Sequence, residues 1–321
     1  MAVNLDAHRM VQKQAAWIAQ LQEELATTST FLNMHDSQPE KAVMNMVDGI
    51  NYDSFQIACN LVDDATPMIS PRAPDHPDCT ICATFSSRFP GVIPLLRDTD
   101  PRMDEEREAL RVNIVQSTLL RVCHDFMQPW HVSSGDQVIN DGNEELLKAV
   151  SDSIFQTESQ VVAANWKAIT YRHLSTLKRA SETIERERMY ECLCSALLPI
   201  WHVYGLIDDQ IAPIVSETGM RDMFKYLIAE VYSFQKAAAQ DIVSAELQPV
   251  MVPGGIVADE RTMQIITGSM STAPDSTILC TTRIGLRRIT RVAGDAKVTL
   301  LMRPEVFVTP ALTPSLVARH D

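Results

Sequence analysis

The chain has 321 residues, of which 45% are hydrophobic and 21% charged, and it carries a net charge of −13. That composition is ordinary for a folded protein and can bury a sizeable core without disulfides, in one large domain or two small ones. The acidity disfavours non-specific phosphate binding, which is driven by lysine and arginine displacing counterions.

Asn4 to Leu32 reads as one helix with a partial heptad. Val11, Ile18, Leu25 and Leu32 recur at heptad spacing, Ala7 and Leu21 fill the alternate seam, and Gln14 and Thr28 interrupt it. One reading of residues 1–36 is self-association through Val11, Ile18, Leu21, Leu25 and Leu32. The other is an amphipathic helix folded back on the body. A basic leucine zipper is not supported, because only His8, Arg9 and Lys13 precede the seam.

Residues 37–250 read as a helical core. Ser37-Gln38-Pro39-Glu40 has a capping-box arrangement with proline in the first turn, which predicts a helix through Val47 ending at Gly49. A second short helix is expected from about Asp53, with Phe55, Cys59 and Val62 on one side. Residues 64–101 are proline-rich and too long for an ordinary connection. Their apolar residues, Phe85, Phe89 and Val92 among them, are expected to lie against the helices. Asp100-Pro101 opens the next helix, Leu110, Ile114, Leu120 and Phe126 mark its buried side, and Pro129 ends it.

Glu144 to Gln248 is a block of helical stripes. Leu146, Leu147, Val150, Ile154, Val161, Val162, Trp166, Ile169 and Leu177 recur at steps near three and four, which predicts one buried helix face. Tyr190, Leu193, Cys194, Leu197, Leu198 and Trp201 form a second stripe, which Pro199 should kink or end and Gly205 should cap. A third runs from Met223 to Ile242 and is closed by Pro249 and Gly254-Gly255.

Residues 251–321 change period and are slightly basic. Thr277 to Thr282 is β-prone, and a hairpin is expected from about Leu286 to Met302 around Ala293-Gly294-Asp295, joined by Glu305 to Val308. A lone hairpin is marginal, so this tail should dock on the helical body or add to another sheet. The fold class expected is therefore mainly α, a multi-helix bundle with an N-terminal amphipathic, coiled-coil-like helix and a small β-rich C-terminal tail.

The chemistry-bearing motifs are sparse. His76-x-x-Cys79-x-x-Cys82 has the best metal-like spacing, but zinc needs a fourth ligand and no finger-like second pair supplies it. Asp63-Asp64 and Asp208-Asp209 lack the carboxylate four residues on that a helical Mg²⁺-diphosphate site needs, and read as helix-start carboxylates. His124, His131, His173 and His202 show no Glu-x-x-His pattern and read as ordinary helix histidines. Arg283, Arg287, Arg288 and Arg291 could contact phosphate, although without flanking aromatics they read better as the charged face of a strand. There is no nucleophile elbow, Walker loop or dinucleotide-binding glycine motif.

No cofactor is expected from these residues. Seven scattered cysteines, the lack of a secretory pattern in Met1 to Asp6 and the absence of a long apolar run point to an intracellular protein, cytoplasmic or nuclear. The function expected is a non-enzymatic assembly or interaction protein, structural, scaffold or regulatory, with protein partners or itself. One alternative is a helical enzyme with an interior pocket for a small apolar substrate. Another is a regulator that contacts nucleic acid through the arginine-bearing tail.

Overall fold

The computed structural model describes residues 13–14, 16–22, 36–69, 85–89, 92–93, 104–130, 141–178, 182–267, 276–292 and 295–309. His76, Cys79 and Cys82 lie outside them, as do Val11, Leu25 and Leu32 of the N-terminal seam. The described chain is mainly helical, with two small sheets at its C-terminal end.

The first core helix, α1, runs unbroken from Glu40 to Ala65, so the expected end at Gly49 and new start near Asp53 are wrong. Val43, Val47, Ile50, Ile57, Leu61 and Ala65 keep one face buried on both sides of Gly49. Packing along that face outweighs the ~1 kcal/mol that glycine costs inside a helix. The missing side chain also lets the helix that carries Glu230 come close, with the Glu230 carboxylate 3.8 Å from where a Cβ would sit.

The capping box at Ser37 is not formed either. The cap position is Pro39, with no side-chain cap bond. The preceding residues are tied across the molecule instead. Ser37 N donates to Asp241 O at 2.9 Å, and Asp36 Oδ1 accepts the backbone N–H groups of Val243 and Ser244, both at 2.8 Å.

Helix α2 (Asp104–Phe126) buries Leu110, Ile114, Leu120 and Phe126 as its periodicity predicts. It ends before Pro129, in a turn that carries Trp130. Helices α3 (Asp141–Thr157) and α4 (Gln160–Lys178) replace the single stripe expected there. Helix α5 (Glu182–Val203) continues past Pro199, so the proline does not end it. Leu197, Ile200 and Trp201 are buried around the proline, and their packing compensates for the hydrogen bond it removes. Gly205 then caps the helix at φ 84°, with Gly205 N bonded to His202 O and Leu206 N to Trp201 O, both at 3.0 Å. A short α6 (Asp208–Ser216) places Asp208 and Asp209 in its first turn.

Helix α7 (Thr218–Lys236) buries Met220, Phe224, Leu227, Ile228, Val231 and Phe234. It widens into a π turn at Ala237–Asp241 and stops there, not at Pro249. Faces of α1, α2, α5 and α7 meet in one apolar core around Trp201, Phe224 and Phe234. Phe85, Phe89 and Val92 of the proline-rich stretch join it, as do Leu247, Leu279, Cys280, Ile284 and Leu286 of the strands.

Strand β1 (Glu246–Val250) precedes the expected tail boundary at residue 251. Its Pro249 is tolerated because β1 is an edge strand. One sheet has the order β1-β4-β5, with β4 (Gly285–Val292) and β5 (Asp295–Met302) forming the expected hairpin. The other has the order β2-β6-β3 and contains β2 (Gln264–Thr267), β3 (Thr277–Arg283) and β6 (Glu305–Thr309). Glu305 to Val308 therefore does not extend the hairpin. It lies parallel to β2 and antiparallel to β3.

The chain changes sheets at Ile284 and Gly285. A Cβ on Gly285 would come within 2.6 Å of Met302 O and of Pro304, so only glycine fits this crossing. Ile284 belongs to neither strand, and its N–H and C=O are both taken by the Asn51 side chain at 2.7 and 3.0 Å.

Candidate functional site

A cleft of about 130 Å³ opens where α3, α4, β1 and the turn after α2 come together. Helix α4 forms its floor with Gln160, Ala163, Ala164 and Lys167, residues spaced to share one helix face. Alanines at the middle positions leave the space open and let the lysine lie within it. Trp130 and Phe155 supply apolar walls, Lys148 and Asp152 come from α3, and Glu246 and Gln248 come from β1.

The buried face of α4 is the opposite of the one its larger apolar residues suggest. Ala163, Ala164, Asn165, Lys167 and Ala168 are buried, while Val161 is 41% exposed. The reason is close packing: Ala164 and Ala168 form a small cluster with Val243, beside the π turn of α7. The available signal was alanines at helical spacing with one lysine among them.

Lys167 is the unusual group. It is only 7% exposed, and its Nζ donates to Ala238 O at 3.0 Å. The π turn makes that carbonyl available. Ile242 N bonds to Ala237 O at 3.0 Å, and Val243 N bonds to Asp36 Oδ1 at 2.8 Å, so neither reaches Ala238. Burial pushes the Lys167 amine below its usual value by removing water from the charged form, with Glu246 acting in the opposite sense. Glu246 itself accepts a hydrogen bond from Gln248 Nε2 at 2.6 Å.

The four tail arginines are not gathered into one patch, and each has a partner within the chain. Arg283 pairs with Asp48 of α1 at 2.8 Å, and Arg288 with Glu40 of α1 at 3.3 Å. Arg287 donates to Gln248 Oε1 of β1 at 2.9 and 2.6 Å. Arg291 lies 4.7 Å over the Phe155 ring and donates to Glu158 O at 3.2 Å, and its backbone N–H reaches Gln160 Oε1. Arg288 and Arg291 bind the β1-β4-β5 sheet to the helices, Arg283 binds β3 of the other sheet to α1, and Arg287 links β4 to β1 within one sheet. Arg291→Ala should loosen α3, and faster amide exchange in residues 145–157 than in α7 is the expected readout.

The chain matches no known protein family, no curated protein and no solved structure. Its function therefore has to be argued from its own geometry.

The remaining sequence candidates are dispersed. His124 lies 3.3 Å from Asp125, and His202 lies 3.2 Å from Asp208, both at helix ends. No group of three or more His, Cys, Asp or Glu residues that could hold a metal occurs among the described residues. No described helix is long and apolar enough to cross a membrane.

Large apolar side chains are exposed on several helices, and two of these helices carry parts of the expected stripes. Residues 16–22 are helical and wholly exposed, with Trp17 at 64%, Ile18 at 53% and Leu21 at 44%. On α3, Leu146 is 59% and Val150 38% exposed, so the first half of the expected stripe does not face the core. Among the described residues strand β5 pairs with β4 alone, and its residues 295–300 are exposed.

Proposed function

We propose that this chain is a non-enzymatic assembly protein that associates with further copies of itself through its N-terminal helix. The observation that carries the reading is the helical segment 16–22, whose Trp17, Ile18 and Leu21 face solvent in the single chain. Burying such side chains against a partner is worth roughly 1.5–3 kcal/mol each, and exposed apolar groups of this kind mark interaction surfaces. Trp17 and Leu21 are four residues apart and Ile18 and Leu21 three, so they line one side of the helix. The exposed apolar residues of α3 and the outer edge of β5, unpaired among the described residues, also favour an assembling protein. An exposed strand edge accepts a further strand unless it is blocked.

Sedimentation velocity on the full chain tests the reading. The wild-type chain should sediment above the monomer mass at micromolar concentration. A variant with Trp17→Glu, Ile18→Glu and Leu21→Glu should sediment as a monomer with an unchanged circular dichroism spectrum. A wild type that is monomeric throughout, or a variant that remains associated, would refute assembly through this helix.

A further inference from the structure

We propose that the cleft floored by Lys167 takes small, apolar aldehydes, which the Lys167 amine captures as an imine. This goes beyond assembly and does not depend on it.

Three features of the site converge. Lys167 lines the cleft while almost entirely buried, and its one hydrogen bond, to Ala238 O, leaves further N–H positions on the same nitrogen. A neutral amine can still donate that bond, more weakly than an ammonium, so Lys167 need not carry charge to keep its place. The cleft admits only a few non-hydrogen atoms at about 130 Å³, and Trp130, Phe155, Ala163 and Ala164 give it apolar walls. Asp152 and Glu246 outnumber Lys148 in its lining once the Lys167 amine is neutral, which sets a neutral carbonyl compound ahead of a carboxylate or phosphate. The π turn beside the lysine is a further mark of a functional place, since such turns are frequent at binding and catalytic sites. Burial also favours the neutral, nucleophilic amine.

The chemistry balances without an oxidant or reductant. The Nζ lone pair forms a bond to the carbonyl carbon as the C=O π pair moves to oxygen. One proton passes from nitrogen to that oxygen, giving a carbinolamine. The nitrogen pair then forms C=N while the C–O bond breaks, and the hydroxyl leaves as water with a second proton from nitrogen. Amine and aldehyde become imine and one water. Glu246 acts on the charge of this amine from the same cleft lining, and the two protons are relayed by water.

Reductive trapping decides the matter. The full chain is treated with acetaldehyde and cyanoborohydride at neutral pH, and ethylated lysines are mapped by peptide mass spectrometry. Lys167 should be labelled faster than the exposed Lys225, in line with the larger neutral fraction of a buried amine, and the preference should vanish in denaturant. Labelling of Lys167 no faster than that of Lys225 would overturn the proposal and leave Lys167 as the cap of Ala238 alone. The comparison is made within the wild-type protein, so it does not depend on a variant folding. Its outcome is also independent of whether the chain sediments as a monomer.

Discussion

Asn51→Ala is expected to destabilise the protein by about 2–5 kcal/mol, one of the largest effects of any single substitution outside the apolar core. Asn51 is 2% exposed on the buried face of α1. Its amide takes the place of a neighbouring strand, accepting from Ile284 N and donating to Ile284 O. Ile284 is the residue at which the chain leaves one sheet for the other, so no strand partner is present to replace the lost bonds. Truncation strands a buried N–H and a buried C=O together, and that desolvation accounts for most of the cost. Urea denaturation of wild type and variant measures it. A loss below about 1 kcal/mol would mean that water or backbone movement satisfies Ile284.

Raising the pH above 9 should unfold the protein progressively. Burial pushes the Cys123 thiol, and likewise the Cys280 thiol, from an ordinary value of 9.0 up to about 12. It also pushes the Tyr171 hydroxyl from 10.0 up to about 12. The folded-state values are raised, so each group contributes stability that is fully present below its unfolded value. That stability is lost as pH rises toward the folded value, because the unfolded chain gives up its protons first. For each thiol the loss between pH 9 and 12 is on the order of 4 kcal/mol. Lys167 has the opposite sign. Its folded value is lowered from 10.5, so its contribution rises with pH until the unfolded chain also loses that proton. Two fully buried thiols outweigh one amine, and the net trend above pH 9 is downward. Urea midpoints from pH 7 to 11 should show this fall, and the Cys123→Ala, Cys280→Ala double variant should flatten it. An equally steep fall in that variant would exclude the thiols as its cause.

Local pattern carried much of the fold. The stripe of α2, the cap at Gly205 and the β4-β5 hairpin could all be read directly, because each depends on residues a few positions apart. Gly49 and, as a helix end, Pro199 misled for one shared reason. Each carries a local cost of a few kcal/mol or less, and packing against distant residues exceeded it.

The candidate site was almost illegible in the sequence. Lys167 drew no notice as one of several lysines. What distinguishes it is its place in one cleft with Trp130 and β1 and its bond to the π turn, residues that lie far from it in the chain. The arginines were visible as a group. Their partners, Asp48, Glu40, Gln248 and Phe155, could not be chosen among many acceptors until the sheet was docked.

The sequence by itself determined that the chain is mainly helical, where most helices lie, and that a hairpin follows them, because hydrophobic period and turn residues act locally. Only the tertiary structure decided that α4 buries its alanine face, that β6 joins β2 and β3, and that one lysine is drawn into a cleft. Those outcomes turn on which surfaces fit together across long sequence separations, and neither residue spacing nor propensity encodes that.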